Sequence, residues 1–203
     1  MREEAVLKIY HIPGTRALRV VWLAEEMGLK YEILSCQGFR DPMLTDANAM
    51  SSVPVLEDGD VRVVESLAIM DYMMDRYGPT PLKPKPGDAT YPAYIQFFHF
   101  GECTLGARFR NLVVSKLFSL DGNWATEDSE RGFLTGAQMV AKQVSEHPFV
   151  AGDAFTAADI SCALMLGGGA KLLGYEERYE QPVRDYLNRI NQRPAFVKAS
   201  NTR

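Results

Sequence analysis

The sequence predicts two architectures in succession: an α/β domain, then an all-helical one. Three observations carry that prediction. Short branched-and-aromatic runs alternate with helical patterns up to residue 78. Residues 79–88, PTPLKPKPGD, hold four prolines and a glycine, which no regular element tolerates. From residue 89 onward the apolar spacing is helical alone. The expected boundaries are therefore 1–78 for the first domain, 79–88 for a linker and 89–203 for the helical domain.

The elements follow in order. Residues 6–12 read as a strand, with Val6, Lys8 and Tyr10 alternating against Leu7, Ile9 and His11, until Pro13-Gly14 breaks it. From Thr15 the pattern turns helical, with Leu18, Val21 and Trp22 on one face and Gly28 as the stop after Met27. A second strand at 31–36 completes a strand–helix–strand unit, which implies a parallel pair. A short helix is expected near 41–48. Strands at 53–57 and 61–64 flank Asp58-Gly59-Asp60, a strong hairpin signal. A helix over 65–77 presents Ile69, Met73 and Tyr77 at i, i+4 and i+8 and ends at Gly78. The order βαβ then ββα is that of a thioredoxin-like domain.

Beyond the linker, helices are expected at about 89–119, 125–146, 157–172 and 177–192, with a short one near 194–200. Phe155-Thr156-Ala157-Ala158-Asp159-Ile160 combines a capping box, Thr156 with Asp159, and a hydrophobic staple, Phe155 with Ile160. Such a cap stabilises a helix by roughly 1 kcal/mol, and its role is structural.

Bulk properties narrow the function classes. With 46% hydrophobic and 24% charged residues the composition is that of an ordinary globular protein. A net charge of −4 without a Lys/Arg-rich run argues against nucleic acid as a partner. The opening MREEAVLKIY lacks a secretory pattern, and no apolar run approaches a membrane span. Three scattered cysteines and three scattered histidines, without a CxxC, fit free thiols in a reducing cytoplasm and no structural metal site.

Several segments together carry a family resemblance. Ser52-Val53-Pro54-Val55-Leu56, followed by Glu65-Ser66-Leu67-Ala68-Ile69, resembles the soluble glutathione transferases. Ala151-Gly152-Asp153 through Ile160 looks like that family's helical capping segment, and Arg193-Pro194-Ala195-Phe196 like its C-terminal signature. The resemblance spans about residues 6–200. It implies glutathione as cosubstrate, a hydrophobic small molecule as the second substrate, and a homodimer.

The chemistry of these residues suits the tripeptide. A proline at a strand start has no N–H, so Val53 beside Pro54 can pair its backbone with the tripeptide as an added strand. The resemblance implies that the Val53–Pro54 bond is cis, and that Ser52 belongs to the same binding segment. Glu65-Ser66 opens a helix, whose first N–H groups attract carboxylates. Ser66 is thus expected to hold the γ-glutamyl carboxylate, and Glu65 to pair with the neighbouring ammonium.

The activating group is less plainly written. A free thiol has a pKa of about 8.5, so a transferase needs a donor that holds the sulfur as an anion. In the family this is a Tyr, Ser or Cys at or just after the first strand. A serine common in related sequences falls on Ile12, which has no donor. Thr15 is the next hydroxyl, Tyr10 carries a phenol, and Arg16 brings positive charge. The cosubstrate pocket is expected between the two domains, with Phe97, Phe98, His99, Phe100, Cys103 and Arg108 as candidates. Related reactions (isomerisation, dehalogenation, peroxide reduction) and a non-catalytic binding role stand as alternatives.

Overall fold

The computed structural model describes residues 6–120 and 122–202. The reading that the first ten residues lack a secretory pattern rests partly on residues 1–5, which lie outside the described residues. Contacts divide the chain into two compact units, Met1–Thr80 with Arg193–Arg203, and Pro81–Gln192.

The first unit is built on a mixed four-stranded sheet in the order β2-β1-β3-β4. Strand β1 (Leu7–His11) pairs in parallel with β2 (Tyr31–Ser35), and α1 (Ala17–Glu26) makes the crossover. Helix α1 stops as expected: Met27 caps it and Gly28 takes φ +65°, where a side chain would be strained. Asp41 caps α2 (Pro42–Ala47) by accepting the Met43 N–H at 2.9 Å. Strands β3 (Val55–Asp58) and β4 (Val61–Val64) form an antiparallel hairpin closed by Gly59-Asp60. Helix α3 (Ser66–Tyr77) then packs on α1 and on the hairpin.

Alternation along β1 divides its side chains. Leu7, Ile9 and His11 are buried at one parity, and at the other Tyr10 joins Ala17, Cys36, Leu44, Ala47, Val53 and Val55 in a core cluster.

The second unit is helical: α4 (Tyr91–Phe100), α5 (Ala107–Leu117), α6 (Trp124–Glu146), α7 (Ala157–Gly168) and α8 (Gln181–Asn191). The single helix expected over 89–119 is instead interrupted by a π-helical segment, Gly101–Gly106. The cause lies in α7. The Ser161 hydroxyl donates to the Phe98 carbonyl at 2.8 Å, and the Cys162 thiol to the Phe97 carbonyl at 3.2 Å. Side chains inserted among ladder carbonyls loosen the i→i−4 pattern. The helices approach so closely that a Cβ at Gly101 would meet Ser161 Oγ at 2.3 Å. A second π-helical segment, Gly169–Leu173, ends the stretch expected at 157–172.

Thr156 and Asp159 form the reciprocal capping box, and Phe155 and Ile160 are both buried. Asp159 also accepts the Val150 N–H at 2.9 Å and the Tyr186 hydroxyl at 3.1 Å, so one carboxylate ties a loop, a helix start and α8 together.

Residues 193–203 do not cluster with the helical unit that precedes them. Helix α9 (Pro194–Ser200) lies against α1. Arg193 grips Glu26 through two parallel bonds of 2.7 Å, and the Phe196 ring meets Trp22 at 4.8 Å between centroids. Trp22 is fully buried.

Candidate active site

Strand register gathers the segments singled out by sequence at one end of the sheet. Tyr10 pairs with Val55, and Val55 in turn with Val64. Both ladders stop at Val55, so the segments that run on from them, Ile12 after β1, Val53-Pro54 before β3 and Glu65-Ser66 after β4, emerge at the same end of the sheet. The β1–β3 ladder itself stops at Val55, so Val53 lies beyond its end. The Val53–Pro54 bond is cis. Ser52 is exposed, and Asn48 clamps it by donating its amide to the Ser52 carbonyl at 2.9 Å and hydroxyl at 3.1 Å. The loop after β2 opens at the same end, since His11 pairs with Ser35. An open depression of about 590 Å³ lies over its residues Gln37–Pro42.

Helix α3 starts in an unusual way. Glu65 precedes it at φ 71°, ψ 116°, a conformation that costs a non-glycine residue about 1–3 kcal/mol. Glu65 supplies no side-chain cap to this N-terminus and is exposed. The first-turn N–H groups of a helix lack partners within it and point out of its N-terminus, where an anion is stabilised. Ser66, the first helical residue, is 4% exposed and accepts a hydrogen bond from Arg19 Nη1 at 3.1 Å. Arg19 has no exposed surface at all. Sequence reasoning did not single it out, although a cation embedded in Ala17-Leu18-Arg19-Val20-Val21-Trp22 was a usable signal.

The three candidates for thiol activation occupy different settings. Thr15 precedes α1, with Arg16 as the N-cap, so the helix begins two residues later than its pattern suggests. The Thr15 hydroxyl donates to the Ile12 carbonyl at 2.6 Å and accepts the Ala17 N–H at 3.3 Å. Tyr10 turns away to the core cluster, where its phenol donates to Glu57 Oε1 at 3.0 Å. Burial and the carboxylate both push the Tyr10 pKa up, so its proton stays on that contact. Arg62 donates to the same Glu57 oxygen at 2.7 Å. Arg16 is half-buried at the start of α1.

Of the residues proposed on the long helix, Phe97 and Phe98 are buried in the helical unit's own core, Phe100 is half-buried, and His99 and Cys103 are exposed. Arg108 is held by Asp128 at 3.3 Å. Among the described residues no cluster of three or more His, Cys, Asp or Glu side chains is arranged to hold a metal, and no helix is long and apolar enough to cross a membrane.

A thioredoxin-like unit with this sheet end, joined to a helical unit, is the architecture found in comparisons with known proteins. The family model described as the N-terminal domain of glutathione S-transferase matches residues 5–75. Glutathione S-transferase 2 of Anopheles gambiae is 32% identical over 163 residues, covering 77% of each chain. Glutathione S-transferase 3 of Schizosaccharomyces pombe is 23% identical over 211 residues, 94% of this chain and 85% of the relative. The same fold appears in a glutathione transferase family member from Pseudomonas fluorescens solved with two glutathione bound. That structure has a TM-score of 0.84 and 19% identity, covering 98% of this chain and 94% of the other. The chain belongs to the glutathione S-transferase family, a family of enzymes.

Proposed function

We propose that this protein binds glutathione at the sheet end formed by Ser52, Val53, Pro54, Glu65 and Ser66, and directs its thiolate at a hydrophobic electrophile. The observation that carries the reading is the β3–β4 register: its last pair is Val55–Val64, so the segment before β3, with Val53, and the start of α3, with no side-chain cap from Glu65, leave the sheet at the same end. The tripeptide backbone pairs with Val53, the γ-glutamyl carboxylate meets Ser66 and the first-turn N–H groups, and Glu65 receives the ammonium. The thiol then lies toward the start of α1. There Thr15, after releasing the Ile12 carbonyl, donates to the sulfur, with Arg16 adding positive charge. The thiol proton passes to solvent, a carbon–sulfur bond forms, and the leaving group departs with its electron pair. Removing one such donor costs on the order of a hundredfold in kcat.

The test is isothermal titration with glutathione and its S-hexyl derivative, on wild type and Glu65→Ala/Ser66→Ala. Micromolar-to-millimolar binding lost in the double variant supports the site; no binding to either ligand sinks it. A homodimer in the cytoplasm belongs to the same proposal, and a monomer in sedimentation at micromolar concentration would remove the dimer from it.

A second reading, binding without transfer, draws on one observation: the Thr15 proton is already donated to the Ile12 carbonyl. Titrating the absorbance of the bound thiolate separates the two. A pKa unchanged from free glutathione favours binding alone, and a depressed one that Thr15→Ala restores favours the transferase.

A further inference from the structure

We propose that Arg19 is a positioning residue for the glutamyl carboxylate, acting through the Ser66 hydroxyl; this rests on the binding site proposed above. A guanidinium keeps its proton at any accessible pH, and removing one from water costs several kcal/mol before partners are counted. Arg19 is nevertheless fully buried, in a helix whose neighbouring positions Ala17, Val20, Val21, Trp22 and Leu23 are buried apolar residues. A packing role alone would be served by an aliphatic side chain of similar length. What the guanidinium adds is a donor and a permanent charge directly behind the start of α3.

The geometry turns that charge into an orienting device. A serine hydroxyl has one proton and two acceptor sites. Arg19 Nη1, at 3.1 Å, occupies an acceptor site of Ser66 Oγ, so the Ser66 proton must point away from Arg19. Within a helix a serine often donates to the carbonyl four residues back, but Ser66 is the first residue of α3 and has no helical carbonyl behind it. The proton is thereby directed outward with the first-turn N–H groups, toward the position assigned to the carboxylate. Arg19 itself touches no substrate; its effect is on how Ser66 is presented.

The experiment compares two tripeptides, glutathione and γ-aminobutyryl-cysteinyl-glycine, which lacks only the α-carboxylate. Affinities are measured by titration calorimetry for wild type, Arg19→Met, Arg19→Lys, Ser66→Ala and Arg19→Lys/Ser66→Ala. Arg19→Met is expected to weaken glutathione by about tenfold or more while changing the decarboxylated tripeptide by less than about twofold. Arg19→Lys, which keeps the charge, is expected to lose less. In the Ser66→Ala background Arg19→Lys should cost no further affinity, since the route through the hydroxyl is gone. Equal losses for both tripeptides, or additive losses in the double variant, would overturn the proposal and leave Arg19 as a tie between α1 and α3. If Arg19→Met does not fold, the Arg19→Lys cycle decides alone. Wild type binding both tripeptides equally, or neither, would instead refute the carboxylate site itself.

Discussion

Glu65 holds a backbone conformation that its own side chain opposes. At φ 71° the natural occupant is glycine, yet the chain keeps a carboxylate there. Glu65→Gly should therefore stabilise the fold, by about 1 kcal/mol or more from relieved strain. The same change removes the group proposed to pair with the ammonium, so glutathione affinity should fall. Denaturant unfolding beside calorimetric titration reads both; a variant that binds as well as wild type would show that Glu65 has no part in recognition. Asp159 is the second residue whose setting decides its chemistry. Burial pushes its pKa up to about 6, although the Val150 and Thr156 N–H groups and the Tyr186 hydroxyl pull the other way. Because the folded state then binds this proton more tightly than the unfolded chain, the contribution is complete below about pH 4 and is lost as pH rises through 6. The stability difference between wild type and Asp159→Asn should thus shrink from pH 4 to pH 7 in urea titrations. A difference that grows over that range would refute the assignment.

Among elements, the end of α7 shows how one residue type answers to opposite demands. Gly167 has nothing within 4 Å of where a Cβ would stand. At Gly169, two residues on, a Cβ would meet the Tyr179 hydroxyl at 2.2 Å and the Phe133 ring at 2.7 Å. Gly167→Ala should raise stability by roughly 0.5–1 kcal/mol by lowering unfolded-chain entropy, while Gly169→Ala should cost about 1–3 kcal/mol through overpacking. Thermal unfolding of the pair checks the sign reversal, and two shifts in the same direction would contradict it. Gly101 belongs with Gly169. Its missing side chain lets α4 approach α7 until Ser161 and Cys162 reach the Phe98 and Phe97 carbonyls, which is what breaks a continuous helix into three segments.

For the whole molecule, the chain's return is the decisive feature. After the helical unit, α9 rejoins the first unit and covers Trp22. Glu26 lies at the centre of this closure, accepting the Trp22 indole N–H at 3.0 Å and both Arg193 bonds. Lys198 pairs with Glu25 at 2.8 Å beside it. Arg193→Ala leaves a largely buried carboxylate short of its cation and should cost about 1.5–3 kcal/mol. Removing residues 193–203 should go further and expose Trp22. With the exposed Trp124 replaced by Phe, a red shift of the remaining indole emission would report that loss. Unchanged emission in the truncated chain would show that Trp22 does not depend on α9.

Local pattern was enough for much of this protein. Alternation in residues 6–12, the Asp58-Gly59-Asp60 turn, the Gly28 and Gly78 stops and the Thr156–Asp159 cap each act over a few residues, so the strands, most helices and the capping box were legible directly. The segments Val53-Pro54 and Glu65-Ser66 were legible as a strand start and a helix opening, but nothing in the Glu65 residue type announces its positive φ. Tertiary structure alone decided what crosses long stretches of chain. It brought the start of α3 and the segment before β3 to one end of the sheet through strand register, sent the Tyr10 phenol to Glu57, and brought α9 back to Trp22. It also buried Arg19 against Ser66, a pairing across 47 positions. Such contacts depend on which faces the packed elements turn to one another, and no short-range periodicity encodes that choice.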